Sequence, residues 1–364
     1  MRCGRGMFRD KISSMWKVIR RNARREAFKH ERKHKNANGS AKAEAQRRKR
    51  GRSLKISCHE RKIRGTYGMG KERQDSNVIT REYFDSLMIE MRHIDSEIPS
   101  TKIRLFGQEF SMPIATAALS HLNGQTPDGM AKMAEGARMA DALCFSGMGE
   151  AEEIQAMCAT GAKVIKIVKP HADNEKVFVK IREAEEAGAF GVGMDIDHAF
   201  SWNGEYDNVV GLPMRPKSLE EMRSFVESTK LPFVVKGVLS VQDAKKCLEI
   251  GAAGIIVSHH HGIMSSAVPP LYILPKIKEV VGDRIPIFVD CCVESGMDAF
   301  KALALGADAV CVGRAIMEPL KEKGAAGVCE KLTGMNQELK AVMERTAFTK
   351  LSKIDSSVIH VRDF

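Results

Sequence analysis

Four times in this chain a Gly–Ala pair closes an amphipathic stretch and opens a short apolar run. Gly161–Ala162 precedes Val164–Val168, Gly188–Ala189 precedes Val192–Ile196, Gly251–Ala252 precedes Ile255–Val257, and Gly306–Ala307 precedes Ala309–Val312. Glycine just past a helix, followed by a buried strand, is the usual helix-to-strand junction. Further apolar runs begin at Pro113, Ala142, Pro232 and Pro286, which brings the count to eight. Proline is tolerated as the first residue of a strand because its missing N–H can lie outside the ladder. Continuous apolar strands alternating with helices mean a parallel sheet covered by helices. Eight such units in succession favour an α/β fold of the (β/α)8 TIM-barrel class over an open doubly wound sheet. The lack of a Gly-x-Gly-x-x-Gly after the first run also weighs against a dinucleotide-binding Rossmann domain.

The chain has 364 residues, enough for one barrel plus extensions. Its formal net charge of +11 is unevenly spread. Residues 1–75 hold 25 Lys and Arg against 7 Asp and Glu, whereas the remainder holds 32 against 39. The body is therefore mildly acidic, and the basic pI says nothing about nucleic-acid binding by the folded domain. Lys29–Arg52 has too few large apolar side chains to offset its ordering entropy. Phe8–Phe28 carries Ile12, Met15, Trp16, Val18 and Ile19 at roughly helical spacing, which suits a basic amphipathic helix. A solvated tail, contact with an anionic membrane surface or RNA, and an organellar presequence all remain open for this segment. The expected organisation is a basic, partly helical or disordered extension over residues 1–75 and a barrel over residues 76–364. A helix at Arg81–His93 and a small hairpin turning at Gly107–Gln108 are expected to cap that barrel. No apolar stretch reaches the ~18 residues of a membrane span. The nine cysteines have no paired spacing, so free thiols in a reducing cytoplasm are expected.

In a barrel of this class all strand ends meet at one face. In strand order those ends supply Thr116–Ala117–Ala118, Ser146–Gly147, Lys166 with Val168, Asp195 with Asp197, Lys236, Ser258 with His260, Asp290, and Gly313–Arg314. The loops after strands seven and eight often hold phosphate. Here the amides near Gly313 and at the Ser295–Gly296 helix start, with Arg314, are the expected cradle, although Glu294 opposes an anion. Lys236 ends an apolar strand, so it must reach a ligand or a carboxylate such as Asp290 or Asp195. His259–His260–His261 invites a metal reading. On an extended segment His260 would point away from its neighbours, and carboxylate or thiol partners at ligand spacing are lacking, so no metal is expected. One histidine as a proton-transfer group is the better reading, with Asp197 placed to orient His260.

From about Ile79 to Glu344 the chain resembles the FMN-dependent α-hydroxy-acid oxidases and dehydrogenases, such as glycolate and lactate oxidase. Met112–Ala118 is similar to their first barrel strand, Val235–Lys236–Gly237 to their lysine strand, and Val257–Gly262 to their V-S-N-H-G-G segment. Asp290–Asp298 stands where that family has D-G-G-I-R-S-G-x-D, and Lys301–Ala307 and Gly313–Arg314 follow its pattern closely. The resemblance implies an FMN cofactor, a small-molecule substrate, His260 as base, Asp197 as its partner, and Lys236 at the flavin's pyrimidine edge. It implies flavin contacts from Thr116, Ala117, Ala118, Ser146, Lys166, Ser258, Asp290, Gly313 and Arg314. It also allows a homo-oligomer, and leaves the electron acceptor (oxygen, quinone or another) open. The departures lie in substrate and phosphate contacts. The family's carboxylate-binding arginine is Ile263 here, its phosphate-side arginine is Glu294, and its two loop glycines are Cys291 and Cys292. Its strand-three glutamine and tyrosine align with Lys166 and Val168, and its strand-four threonine with Asp195. Two other classes stay open: a non-redox FMN barrel similar to the type 2 isopentenyl diphosphate isomerases, and a flavin-free barrel that binds or scaffolds.

Overall fold

In the computed structural model, residues 74–201 and 203–363 are described. The expected helix at Phe8–Phe28, and all but the last two residues of the expected extension, lie outside them. The chain enters through α1 (Ser76–Ser86), β1 (Leu87–Ile89) and the hairpin β2 (Ile103–Leu105) and β3 (Gln108–Phe110). Then come β4 (Ile114–Leu119), α2 (Gly129–Met139), β5 (Cys144–Ser146), α3 (Ala151–Ala159), β6 (Val164–Val168), α4 (Asn174–Glu186) and β7 (Gly191–Asp195). A two-strand excursion, β8 (Asn208–Val209) and β9 (Leu212–Pro213), leads to α5 (Leu219–Glu227), β10 (Phe233–Val238), α6 (Val241–Glu249), β11 (Gly254–Val257) and α7 (Pro270–Val281). The chain ends through β12 (Ile287–Val289), α8 (Gly296–Ala304), β13 (Ala309–Val312), α9 (Met317–Lys323), α10 (Ala325–Arg345) and β14 (Ile359–Val361).

Strands β4, β5, β6, β7, β10, β11, β12 and β13 pair in parallel and close on themselves, the (β/α)8 TIM barrel that the alternating pattern implies. At each of the four Gly–Ala junctions the glycine has a left-handed φ: Gly161 81°, Gly188 74°, Gly251 79° and Gly306 111°. Such angles cost a side-chain-bearing residue energy and cost glycine little. One interior glycine is needed for close approach instead: a Cβ at Gly193 would sit 1.9 Å from the Val234 carbonyl oxygen on the next strand.

Two expected elements shift. The helix runs over Ser76–Ser86 rather than Arg81–His93, because Asp75 caps it by accepting from the Asn77 N–H at 2.7 Å. It stops at Leu87 because Leu87–Ile89 pair antiparallel with Ile359–Val361 at the far end of the chain, a partner that local pattern does not reveal. The hairpin turns at Phe106–Gly107, with φ of 50° and 84°, one residue earlier than expected. That hairpin closes the amino-terminal mouth. Phe106 stacks on Phe288 at 6.1 Å, and Phe106 and Phe110 both meet Phe190 edge-on. Ligands therefore have the carboxyl-terminal mouth to enter by. Among the described residues no helix is long and apolar enough to cross a membrane, and the seven described cysteines are free thiols.

Candidate active site

Side chains along a barrel strand alternate between the interior and the surrounding helices. The interior row contains Ala115 and Ala117 on β4, Phe145 on β5, Ile165 and Ile167 on β6, Val234 on β10, Ile256 on β11 and Phe288 on β12. The outer row contains Val164, Val168, Val192, Met194, Val235 and Val257, packed against the helices. Extending the interior row one step toward the open mouth reaches Lys169, Asp195, Lys236, Ser258 and Asp290. All five are buried.

Four of the charged groups at the mouth form one cluster with His260. Asp195 and Lys236 are register partners on β7 and β10. Lys236 Nζ lies 2.9 Å from Asp195 Oδ1, and Lys169 Nζ lies 2.6 Å from Asp195 Oδ2. His260 Nδ1 is 2.8 Å from Asp197 Oδ1, 3.4 Å from Asp195 Oδ1 and 3.0 Å from Lys236 Nζ. The short contact to Asp197 fits an Nδ1–H donor, which leaves Nε2 as the ring's other nitrogen for a ligand. Burial disfavours a charged His260, and Lys236 adds to that, but Asp195 and Asp197 outweigh both and raise its pKa above the ordinary value. Burial likewise opposes an ammonium at Lys236, yet Asp195, Asp197 and Asp290 hold it firmly protonated. Asp195 is held below the usual carboxylate range. Burial works the other way, and Lys236, His260 and Lys169 overcome it. Ligand atoms of Asp195, Asp197 and His260 lie within 4.8 Å of one another, a spacing that also suits a cation. Here the two lysine ammoniums supply that positive charge.

The other expected residues divide. Ala117, Ala118, Lys236, His260, Asp290, Gly313 and Arg314 line a single cavity of about 300 Å³ at the open mouth. Ser258 stands behind it, its Oγ accepting from the His260 N–H at 2.9 Å, so it shapes the histidine loop. Thr116 is buried, and its Oγ1 accepts from the Phe145 N–H at 3.2 Å. Ser146 is also wholly buried, and its Oγ has no hydrogen-bond partner among the described residues. Lys166 is not brought to the cavity. It belongs to the outer row and faces a separate small recess with Gly149, His171 and Lys180, where burial pushes its amine down to about 8. Lys169, missed in the sequence, takes the interior place. Its signal was available, since it continues the Ile165, Ile167 alternation. Also missed was His198, whose ring meets His260 edge-to-face at 4.2 Å while its Nδ1 lies 2.9 Å from Asp207.

The histidine triplet is not extended. His260 and His261 have left-handed φ of 48° and 57°. The three rings nonetheless part company: His259 Nε2 meets Thr80 Oγ1 at 2.8 Å, His260 turns to the cavity cluster, and His261 Nδ1 meets Asn77 Oδ1 at 2.8 Å. Asn77 also accepts from Arg314 at 3.3 Å, so the first turn of α1 ties the histidine loop to the Gly313–Arg314 loop. Gly262, at φ 81°, has no room for a Cβ, which would sit 2.7 Å from Asn77 Nδ2. Nothing in the local sequence marks Asn77 for this part. The helix start at Ser295–Gly296 does not offer the free amides expected there. Ser295 Oγ accepts from Asp298 N–H at 3.0 Å, and Gly296 N–H donates to Glu338 at 2.7 Å.

These residues fit a flavin nucleotide. Ala117, Ala118 and Leu119 line the same cavity as Lys236 and His260 with small or apolar side chains. A methyl added at Gly313 would come within 3.5 Å of the Ala117 Cβ and fill part of that space. Lys236 and Arg314 supply cations to the same cavity, and Asp197 Oδ2 is buried beside it without a partner among the described residues. The volume lies at the lower edge of the ~300–1,000 Å³ typical of cofactor sites. Cys291, Cys292 and Glu294 line the cavity together with Arg314.

The profile of the FMN-dependent dehydrogenase family matches residues 59–222 and 214–361. A 2-hydroxyacid oxidase of Dictyostelium discoideum is 35% identical over 193 residues, which cover 52% of this chain and 45% of that protein. An L-lactate oxidase of Alicycliphilus denitrificans is 44% identical over 136 residues, 37% of each chain. This chain thus spans less than half the length of those two relatives. Glycolate oxidase 1 of Oryza sativa subsp. indica is 27% identical over 331 residues, 81% of this chain and 90% of that one. A solved structure of mandelate oxidase with 3,3-difluoro-2-hydroxy-3-phenylpropionic acid superposes with a TM-score of 0.72 at 25% identity, covering 80% of this chain and 91% of that chain.

Proposed function

This chain belongs to the FMN-dependent dehydrogenase family, and from that premise we propose that it oxidises the CH–OH group of a small hydroxy-acid-like substrate. The observation that carries the reading is the convergence of Lys236, His260 and Arg314 on one cavity, with Asp197 behind the histidine. When bound, FMN supplies the acceptor for the hydrogen on the carbinol carbon. His260 takes the hydroxyl proton on Nε2, and Asp197 orients the ring and offsets the charge it gains. Lys236 presents a buried, fixed positive charge to the cavity. Ala117, Ala118 and Gly313 leave room for the flavin, and Arg314 is the cation for its phosphate.

The substrate differs from that of the family's typical members. Ile263 stands where they carry a carboxylate-binding arginine, and it does not line the cavity. Among the lining residues, the lysine and arginine cations are Lys236, already paired with Asp195, and Arg314. A free carboxylate therefore has little to grip, and a compound whose acid group is neutral or masked suits the site better.

The experiment is an absorption spectrum of the purified protein, followed by anaerobic mixing with matched 2-hydroxy acids and their amides. Flavin absorbance that bleaches faster with the amides supports the reading. A colourless protein that takes up no FMN would remove the redox assignment, and net two-electron change separates it from a non-redox FMN barrel.

A further inference from the structure

Asp195 occupies the interior row at the mouth, at the position where the resembling family carries threonine. Both its oxygens are committed, one to Lys169 at 2.6 Å and the other to Lys236 at 2.9 Å. The side chains of Asp195, Lys236 and Lys169 are only 3%, 5% and 8% exposed, so solvent screens these pairs little. Lys236 has three N–H donors. One goes to Asp195, whereas His260 Nδ1, which donates to Asp197, lies 3.0 Å from the same nitrogen without accepting from it. Lys236 therefore still lines the cavity, but the Asp195 carboxylate beside it offsets part of its charge. The register makes this pairing structural rather than incidental, because Asp195 and Lys236 sit side by side on adjacent strands.

We propose that Asp195 is a charge-setting residue of the cofactor site, which holds Lys236 and cancels part of its field, so that reduced FMN gains less from this lysine than an unpaired lysine would give. Lys169 is its counterweight, since it shares the same carboxylate and returns some of the positive charge. The inference rests on the FMN reading above. Reduced flavin carries the extra negative charge, so the ratio of affinities for reduced and oxidised FMN reports the field directly. A charged partner at this range shifts an equilibrium on the order of tenfold or more.

The test measures that ratio anaerobically, together with the midpoint potential, for the wild-type full chain and for two variants. Asp195→Thr should raise the ratio on the order of tenfold or more and move the potential positive. Lys169→Met should move both the other way. A purely structural disturbance would weaken both redox forms of FMN alike in either variant and would not give opposite signs. Should Asp195→Thr fail to fold, Lys169→Met alone decides: a ratio unchanged or raised overturns the proposal. Shifts of the same sign in both variants overturn it too. A wild-type chain that binds no FMN would overturn the proposed function first and this inference with it, and that outcome is visible in the spectrum before any variant is made.

Discussion

At its amino-terminal mouth the barrel is closed by rings, with Phe106, Phe110, Phe190 and Phe288 in contact and a single ammonium, that of Lys163, over the Phe190 ring at 5.8 Å. At its carboxyl-terminal mouth the same strands end in Lys169, Asp195, Lys236 and Asp290, all buried. The loops beyond them hold His260, His261, Cys291 and Cys292 at left-handed φ, each a conformation that side-chain-bearing residues adopt at a cost. One end gains free energy by excluding water, at the cost of one left-handed φ at Phe106, whereas the other carries four such residues together with desolvated charge. The lesson is a division of labour along the strand axis: packing at one mouth provides the stability that the other mouth draws on.

The sharpest test of that division crosses one variant from each mouth. His260→Ala should cut turnover by roughly 10²–10⁴-fold, the usual worth of a positioned base, while leaving FMN bound and, at a pH above the histidine's raised folded value, moving the denaturation midpoint far less than a core deletion. Phe288→Ala should do the opposite. It removes a fully buried ring that stacks on Phe106 and meets Phe145 edge-on, at a cost of about 3–5 kcal/mol in unfolding free energy. If His260→Ala destabilised the fold as much as Phe288→Ala, the charged mouth would be structural and the division false.

The charged mouth should also separate activity from stability by pH. His260 has a raised pKa in the folded state, so its contribution to stability is whole below the unfolded value of ~6.5 and is lost as pH rises through the folded value. Asp195 is depressed, so its contribution is present above ~3.9 and is lost as pH falls through its folded value. Both favour the fold between those limits. With His260 as the proposed base, turnover should increase with pH through an inflection above ~6.5. Asp197→Asn removes one of the carboxylates that raise the histidine, so that inflection should move to lower pH. An inflection that stays put in kcat/KM profiles would place the base elsewhere.

Much of this architecture was legible in the chain. The Gly–Ala junctions located four strands because a left-handed glycine and a buried run are both local requirements. The convergence of Lys236, His260 and Arg314 followed from strand order alone. What local pattern could not supply was parity and distance. Lys166 and Lys169 differ in which row they join, and one residue of offset exchanges the barrel interior for its outer face. Asn77 reaches His261 and Arg314 across the fold, and Glu338 takes the Gly296 amide from another helix. Asp75, the last residue of the expected extension, is the cap of α1. Removing residues 1–75 should therefore cost about 1 kcal/mol more than removing residues 1–73, measured by chemical denaturation.

The smallest effect concerns the Arg314 side of the charged mouth. Cys292 has φ 59°, and its Sγ lies 3.7 Å from Arg314 and 3.6 Å from the Asn77 carbonyl oxygen. Glycine at this position would relieve about 1–2 kcal/mol of left-handed strain. It would also lose the burial of the thiol and add about 0.4–1 kcal/mol of unfolded-state entropy. These terms oppose one another, so Cys292→Gly should change unfolding free energy by less than about 1 kcal/mol. Its effect on the cavity has one sign only. Removing the thiol widens the space beside Arg314 and frees the guanidinium from one of its contacts, so oxidised FMN should bind more tightly. Fluorescence titration of the apoprotein reads that change. An affinity equal to or weaker than the parent's would mean that the thiol does not crowd the phosphate, and that the cost of this loop is borne by Glu294 instead.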